Sequence, residues 1–240
     1  MKPPETRDDG RVGPDGIWVW RSGGRPAWLS RQALFLDRDG VVLEFEPYLS
    51  RPEAVRLLPG AAETIAAANQ AGVPVAVVTN QSGVGRGYYG WAELAAVVER
   101  MQLLLGRHGA RVDAVFACPY HAEARPPYDR GNHPARKPNP GMLLRAGREL
   151  RITLESSWIV GDTADDLLAG RAAGLAGGVH VLSGLGATAR ERVNDLASTT
   201  FRVELATDLR DAAPRLLDQL TKRRTKDDSR QGGDLERRVA

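Results

Sequence analysis

The chain has 240 residues, 42% of them hydrophobic, and this length suits one α/β domain with a sizeable core. Its single cysteine excludes an intrachain disulfide, and no apolar run approaches the roughly 20 residues that a membrane-spanning helix needs, so we expect a cytoplasmic protein without a membrane partner. The last 20 residues hold seven basic and four acidic side chains, so they carry the whole formal net charge of +3. Residues 1–220 are therefore neutral on balance, which argues against a nucleic-acid partner.

The two ends of the chain differ in composition from the middle. Residues 1–31 are predicted to form a flexible N-terminal extension, residues 32–220 the folded domain, and residues 221–240 a disordered, charged tail, for which a docking arm is the alternative. Within the extension, the tryptophans of Ile17–Trp20 and Trp28 are expected to pack on the domain surface or to form a short edge strand rather than to bind a ligand.

Between these ends, apolar strand-like runs alternate with helical patterns. This order predicts a Rossmann-like α/β fold, a parallel sheet with helices on both faces and no large cap domain. Strands are predicted near 33–37, 74–79, 112–117, 157–161 and 178–182, with a weaker one at 201–205. The clearest helix covers 91–106, where apolar side chains mark one face. A last helix is predicted to begin near Ala212 with Asp211 as its cap, because Pro214 is tolerated only in a first turn.

Two carboxylates, Asp37 and Asp39, end the first strand-like run, ALFLDRDG. In open α/β sheets ligands bind beyond the carboxyl ends of the strands, so this pair can hold a metal ion, attack a substrate or transfer a proton. Taken alone, the same pattern is as typical of a helix cap or a turn.

Three later segments add polar side chains at the spacing of a βα repeat. They contribute Thr79, Asn80, Gln81, Ser82 and Arg86 from a glycine-rich loop, Arg136 and Lys137 before a helix opened by Pro140, and Asp162 and Asp166 after another strand. Magnesium and a lysine can neutralise a phosphate monoester, and displacement at phosphorus needs a nucleophile and an acid for the leaving oxygen. The combined set therefore predicts phosphoryl chemistry.

Four of these residues also have a simpler structural interpretation. Lys137 could be a surface charge, although its neighbours favour a phosphate ligand. Asp166 follows Asp162 by one helical turn, so the two can share one side, and the alternative is an exposed charge near a helix N-terminus. Arg86 and Arg136 could bind a second phosphate or sugar hydroxyls, or one of them could be a solvated loop arginine.

The ordered motifs DRDG, TNQSG, Lys137 and GDTADD resemble those of the haloacid dehalogenase-like (HAD-like) superfamily of phosphatases, over Ala33 to about Leu182. Within it, DRDGVV, TNQSGVGRGYY, CPYH and RKPNPGM are similar to the D-glycero-D-manno-heptose 1,7-bisphosphate 7-phosphatase family, whose nearest relatives are the histidinol-phosphate phosphatases. This resemblance implies a magnesium-dependent phosphomonoesterase that acts on a small phosphorylated metabolite through an aspartyl-phosphate.

The resemblance also implies a role for each matching residue. Asp37 would be the nucleophile, and Asp39 the acid that protonates the leaving alkoxide and then activates water. Magnesium would lie at Asp37, the backbone carbonyl of Asp39, Asp162 and, as a weaker candidate, Asp166. Phosphate or substrate would be bound by Thr79, Asn80, Gln81, Ser82, Arg86, Arg136 and Lys137.

The loop from Cys118 to Arg136 departs from the family pattern. Many relatives hold a structural zinc there with C-x-H followed by C-x-C before R-K-P, but here Tyr120 replaces the histidine, and His133 and Ala135 replace the two cysteines. His121 could substitute for the missing histidine. The weak candidate zinc ligands are then Cys118, His121 and His133. A closed structural zinc site needs four ligands, and no fourth is evident. We expect no zinc and a loop stiffened by prolines and packing.

Three other functions stay open at this point. A histidinol-phosphate phosphatase shares the motifs, and a polynucleotide 3′-phosphatase carries a TNQ-like segment. A phosphosugar-binding pseudoenzyme is the non-catalytic alternative, and the intact set of acidic groups argues against it. The expected protein is a monomer.

Overall fold

One eight-stranded sheet organises the protein, with the strand order β1-β2-β5-β4-β3-β6-β7-β8. The computed structural model describes residues 10–23, 31–190 and 193–222. The strands are β1 Arg11–Val12, β2 Trp18–Arg21, β3 Leu34–Leu36, β4 Val75–Asn80, β5 Ala114–Cys118, β6 Trp158–Gly161, β7 Gly177–Val181 and β8 Arg202–Ala206. Strands β3 to β8 are parallel to one another, whereas β2 is antiparallel to both β1 and β5. The predicted α/β fold and its six strands are confirmed.

Helices cover both faces of the sheet. They are α1 Ala61–Gln70, α2 Ser82–Arg86, α3 Trp91–Gly106, α4 Gly141–Leu150, α5 Ala164–Ala172, α6 Gly186–Ala189 and α7 Leu209–Lys222, with 3₁₀ turns at Pro52–Ala54, Leu154–Ser156 and Asn194–Leu196. The helix predicted at 91–106 is confirmed. Within the described ranges, no helix is long and apolar enough to cross a membrane.

Alternating side chains of the central strand separate two hydrophobic cores. Leu34 and Leu36 belong to the core shared with α1, α3 and α7, whereas Ala33 and Phe35 belong to the core shared with α4 and α5. Successive side chains of a strand point to opposite faces, and a central parallel strand is covered on both, which explains its uninterrupted apolar sequence.

The strand order changes direction at β3. The chain passes from β3 to its neighbour β4 on one side, and later returns to β6 on the other side. Such a reversal opens a crevice at the carboxyl ends of the strands, where ligands bind in open α/β sheets. The segments after β3, β4 and β6 meet at this crevice.

Within the predicted flexible extension, the described residues 10–23 contain β1 and β2 of the sheet, which corrects the flexible assignment there and agrees with the short strand expected at Ile17–Trp20. Strand β2 pairs with β5, with Trp18 opposite Ala117, and Trp18 is 1% exposed. The Trp18 ring also stacks on Trp91 of α3 at a centroid distance of 6.0 Å. Residues 1–9, Trp28 and the tail from 223 onward lie outside the described residues, so the predictions for them stand as they were.

The last helix begins one turn earlier than predicted. Asp208 is its effective cap, since its carboxylate accepts a hydrogen bond from the Asp211 N–H at 2.9 Å and its carbonyl accepts one from Ala212 N–H. Asp211 lies in the first turn and accepts a hydrogen bond from the Thr207 N–H. Pro214 is therefore inside the helix, against the expectation that it stays in the first turn.

The buried packing of Trp18 should make the N-terminal hairpin part of the cooperative fold. We expect Trp18→Ala to lower the free energy of unfolding by about 3 to 5 kcal/mol, because it removes a fully buried indole and leaves a cavity. Urea unfolding measures this change. The control Val12→Ala, at an exposed position of β1, should stay within about 0.5 kcal/mol. A loss below about 1 kcal/mol for Trp18→Ala would show that the hairpin unfolds separately from the sheet.

Candidate active site

Three buried carboxylates meet in the crevice. Asp37 follows β3, Asp162 follows β6, and Asp166 lies in the first turn of α5. Each offers an oxygen within 4.8 Å of the others, and in the described part of the chain they are the only group of acidic, histidine or cysteine side chains arranged to hold a metal ion. The structure therefore brings together residues that are far apart in sequence and were predicted as metal ligands.

The Lys137 ammonium group connects two of these carboxylates to the sheet. Its Nζ donates hydrogen bonds to Asp37 Oδ1 at 2.7 Å, Asp166 Oδ1 at 2.5 Å and the Val78 carbonyl at 2.9 Å. The side chain is 4% exposed, so it is not a surface charge. Asn80 fixes the Lys137 backbone, because its amide both accepts from the Lys137 N–H and donates to the Lys137 carbonyl, each at 3.1 Å.

The site has more negative than positive charge, and the pKa values respond to this. Burial raises the pKa of Asp37 to about 8; Lys137 opposes this shift, and Asp166 adds to it. Burial also raises the pKa of Asp162 to about 6, against a hydrogen bond from the Leu185 N–H. Burial alone would lower the pKa of Lys137, but the two bonded carboxylates raise it. Hard oxygen ligands around an excess of negative charge fit Mg²⁺.

Asp166 also caps the helix that carries it. Its Oδ2 accepts hydrogen bonds from the Thr163 N–H at 3.1 Å and the Thr163 hydroxyl at 2.6 Å, while Oδ1 binds Lys137. This reciprocal cap fixes the carboxylate orientation. Because Asp166 is fully buried, the alternative of an exposed helix charge is wrong.

The loop after β7 closes over Asp162. The Asp162 carboxylate accepts a hydrogen bond from the Leu185 N–H at 2.8 Å, and the Ser183 hydroxyl donates to the Gly40 carbonyl at 2.6 Å. Gly40 has a φ of +81°, and a Cβ there would overlap Asp162 and approach Gly184. Glycine is needed at this point because two loops pass the carboxylate in contact with each other.

Asp39 lies beside the carboxylate group in a separate hydrogen-bond network. Both of its oxygens accept from the Arg38 guanidinium, at 3.0 and 2.9 Å, and Oδ2 also accepts from Gln81 Nε2 at 3.1 Å. Gln81 Nε2 donates to the Thr79 hydroxyl at 2.8 Å as well, and the Tyr89 hydroxyl donates to Gln81 Oε1 at 2.5 Å. Sequence reasoning missed Arg38 and Tyr89, although an arginine between two clustered carboxylates was a usable signal.

A cavity of about 290 Å³ opens next to Asp39. It is lined by Arg38, Asp39, Phe45, Glu46, Pro47, Tyr48, Leu49, Asn80, Gln81, Ser82, Gly83 and Tyr89. The predicted residues Asn80, Gln81 and Ser82 thus face a cavity. Phe45 and Tyr48, on the aromatic side of this cavity, come from the loop after Val42, and sequence reasoning did not single them out.

Arg86, the last residue of α2, and Arg136 both lie near His121, and neither lines the cavity. Arg86 Nη2 is 2.9 Å from Glu123 Oε2 and 3.2 Å from both ring nitrogens of His121. Arg136 Nη1 donates to the Tyr120 carbonyl at 2.9 Å. Burial lowers the pKa of His121, and Arg136 and Arg86 lower it further. The positive charge of the two guanidinium groups therefore surrounds a neutral imidazole.

The loop expected to lack zinc is held by ring stacking. The Tyr120 and His133 rings stack at a centroid distance of 3.5 Å, and Tyr128 packs edge-on against Tyr120. The Nδ1 of His133 accepts a hydrogen bond from the Ala135 N–H, and that of His121 accepts one from the Glu123 N–H. Cys118 is buried at the end of β5, and these groups form no metal-binding cluster within the described residues. That zinc is absent from the purified protein stays a prediction.

Comparisons with known proteins agree with this geometry. The HAD-hydrolase-like family model matches residues 134–212. A D-glycero-beta-D-manno-heptose-1,7-bisphosphate 7-phosphatase from Mesorhizobium japonicum is 50% identical over 163 residues, which are 68% of this chain and 75% of the relative. A solved structure of a putative HAD-like phosphatase from Mesorhizobium loti is 41% identical with a TM-score of 0.76, and the match covers 86% of this chain and 93% of the other. A heptose 1,7-bisphosphate phosphatase from B. bronchiseptica, solved with magnesium and phosphate, is 33% identical with a TM-score of 0.68, and the match covers 78% of this chain and 99% of the other.

The raised pKa values of Asp37 and Asp162 predict that Mg²⁺ binding releases protons. Burial holds protons on Asp162 up to about pH 6 and on Asp37 up to about pH 8, and Mg²⁺ would need both carboxylates ionised, so we expect its affinity to rise as the pH increases from 6 to 8. Calorimetric titration with MgCl₂ at pH 7, in two buffers of different ionisation enthalpy, measures the proton release. Asp37→Asn should bind more weakly and release fewer protons. An affinity independent of pH and buffer would contradict this interpretation.

Proposed function

This chain belongs to the HAD-like hydrolases, among the heptose-1,7-bisphosphate 7-phosphatases, and from that membership we propose that it removes the 7-phosphate of D-glycero-D-manno-heptose 1,7-bisphosphate. It is a phosphoric monoester hydrolase. The observation that carries the proposal is the buried Lys137, bonded to Asp37 and Asp166 at the edge of the sheet where substrates enter. We expect it to act as a cytoplasmic monomer.

The chemistry divides between two carboxylates. Asp37 attacks phosphorus, so that an Asp37–phosphorus bond forms and the ester P–O bond breaks, while Asp39 gives its proton to the departing alkoxide. Asp39 then takes a proton from water, and the resulting hydroxide attacks phosphorus and releases phosphate and Asp37. Covalent catalysis of this kind replaces one difficult displacement by two easier ones. The hydrogen bonds from Arg38 and Gln81 keep Asp39 beside the cavity.

A carboxylate cannot approach an anionic phosphate without positive charge nearby. Lys137 supplies one cation and the Thr79 hydroxyl one donor for the phosphoryl oxygens. Asp37 and Asp162, with the Asp39 carbonyl, would hold Mg²⁺, and Asp166 is the weaker candidate because both its oxygens already bind Lys137 and Thr163. When bound, Mg²⁺ offsets charge on the phosphoryl group and lowers its repulsion of the nucleophile.

The second phosphate of a bisphosphate needs its own cations. Arg86 and Arg136 surround His121 and provide two guanidinium groups away from the reacting carboxylates. Guanidinium groups bind phosphate through paired hydrogen bonds. Their position supports a substrate with one phosphate at each end.

The nucleophile is tested by Asp37→Asn. The amide keeps the shape of the side chain but cannot attack phosphorus, so kcat with heptose bisphosphate should fall by about 10³-fold or more. Steady-state phosphate release measures this loss, and circular dichroism checks the fold. Asp39→Asn should be impaired less when the leaving group needs no proton, as with acetyl phosphate. Retention of a tenth of the activity by Asp37→Asn would rule out the covalent mechanism.

The second anion site is tested by Arg136→Ala. Loss of a charged hydrogen bond of about 1.5 to 3 kcal/mol should lower kcat/KM for the bisphosphate by about 10- to 150-fold, with a much smaller effect on a sugar monophosphate. Arg130→Ala, an exposed arginine of the same loop, is the matched control. Equal losses for both substrates would count against a role in binding the remote phosphate and favour a smaller ligand such as histidinol phosphate.

A further inference from the structure

The outer wall of the cavity beside Asp39 is aromatic rather than charged. Phe45 and Tyr48 line it and are 47% and 45% exposed, and Tyr89 lines the same cavity. Half-exposed aromatic rings at the mouth of a catalytic cavity present apolar surface and, for tyrosine, a hydroxyl group to whatever enters.

Tyr48 holds its ring there in an unfavourable backbone conformation. Its φ of 54° lies in the left-handed region, which glycine and asparagine adopt readily and tyrosine does not. The ring contacts Tyr88 edge-on, with centroids 4.7 Å apart, and Tyr88 is itself 58% exposed. Backbone strain of this kind is concentrated at functional sites, and core packing does not account for a ring so exposed.

The loop that carries the predicted phosphate ligands is shaped to fit these rings. Gly83, in the first turn of α2, has no side chain, and a Cβ there would overlap the Tyr89 ring and come within 3.0 Å of Tyr48 Cδ1. The aromatic wall and the start of α2 are therefore one continuous surface that begins at Asp39 and Gln81.

The same wall reaches the remote cation. A side-chain hydrogen bond with Tyr88 raises the pKa of Arg86, and Tyr48 acts in the same direction. Tyr48 thus lines one cavity with Asp39 and also contacts the ring of Tyr88, which neighbours the guanidinium group proposed to bind a second anion. Glu46, in the same wall, adds a carboxylate whose ion pair with Arg51 is as long as 3.9 Å, and which can accept hydrogen bonds from hydroxyl groups.

We propose that Tyr48 is a specificity-determining residue whose ring packs against the non-reacting carbon skeleton of a phosphorylated polyol, between the ester at Asp39 and the remote anion at Arg86. This assignment rests on the proposed function. The C–H groups of a sugar pack on an aromatic face, and the Tyr48 hydroxyl and the Glu46 carboxylate can bind its hydroxyl groups. Substrates without a carbon skeleton of this kind would gain nothing from Tyr48.

Tyr48→Gly tests the assignment, because glycine removes the ring and suits the left-handed backbone, so the melting temperature should not fall. With heptose bisphosphate, KM should rise by about tenfold or more while kcat changes by less than about threefold, and with acetyl phosphate both constants should stay at wild-type values. Tyr48→Phe keeps the ring and should recover most of the affinity. Leu103→Ala, on the exposed side of α3, is the surface control.

The outcomes separate this inference from the proposed function. If the wild-type protein hydrolyses the bisphosphate and Tyr48→Gly does so with unchanged KM, the role of Tyr48 is wrong and the proposed function stands. Equal losses with both substrates would make Tyr48 structural and also overturn its role in specificity. A wild-type protein that hydrolyses acetyl phosphate but not the bisphosphate would overturn both.

Discussion

The buried ammonium group of Lys137 is the constraint on which the site depends. A charge out of water is stable only when it is paired and its hydrogen bonds are made, and Lys137 meets this requirement with Asp37, Asp166 and the Val78 carbonyl. Those partners come from the residue that follows β3, from β4 and from the first turn of α5. The segment before α4 must therefore cross the edge of the sheet, and the paired amide of Asn80 fixes its backbone there.

Much of the fold was predictable because its signals are local. A buried parallel strand is a short apolar run, and the amphipathic α3 repeats with the helical period, so both can be recognised without knowing their neighbours. The run Ile17–Trp20 predicted a short strand as one alternative, but its place in the sheet had no local signal, since β2 pairs with the distant β5 and Trp18 stacks on Trp91. At α7, Asp208 and Asp211 are both reasonable caps in sequence, and the structure shows that the Asp208 carboxylate is the one that accepts the cap hydrogen bond.

The candidate site also contains residues that local sequence patterns reveal and residues that only the three-dimensional structure reveals. Asp37, Asp162 and Lys137 could be inferred because each follows or precedes a recognisable element, and parallel strands bring such positions to one edge. Arg38 was missed although its place between two carboxylates was a usable signal. Tyr89 could not be inferred, because no local pattern says that a tyrosine will reach back to Gln81. The backbone strain at Tyr48 is likewise visible only in three dimensions.

The N-terminal hairpin also determines how the sheet ends. Without β2, the row of backbone N–H and C=O groups on the outer side of β5 would be free to pair with a strand of another molecule, which is a common route to aggregation. Strand β2 forms hydrogen bonds with these groups, and the edge of the sheet beyond β2 is the two-residue strand β1. Asp15, in the hairpin turn, binds Arg145 of α4 at 2.8 Å and secures this cover. Part of the segment that sequence composition set apart from the domain thus covers the otherwise open side of β5.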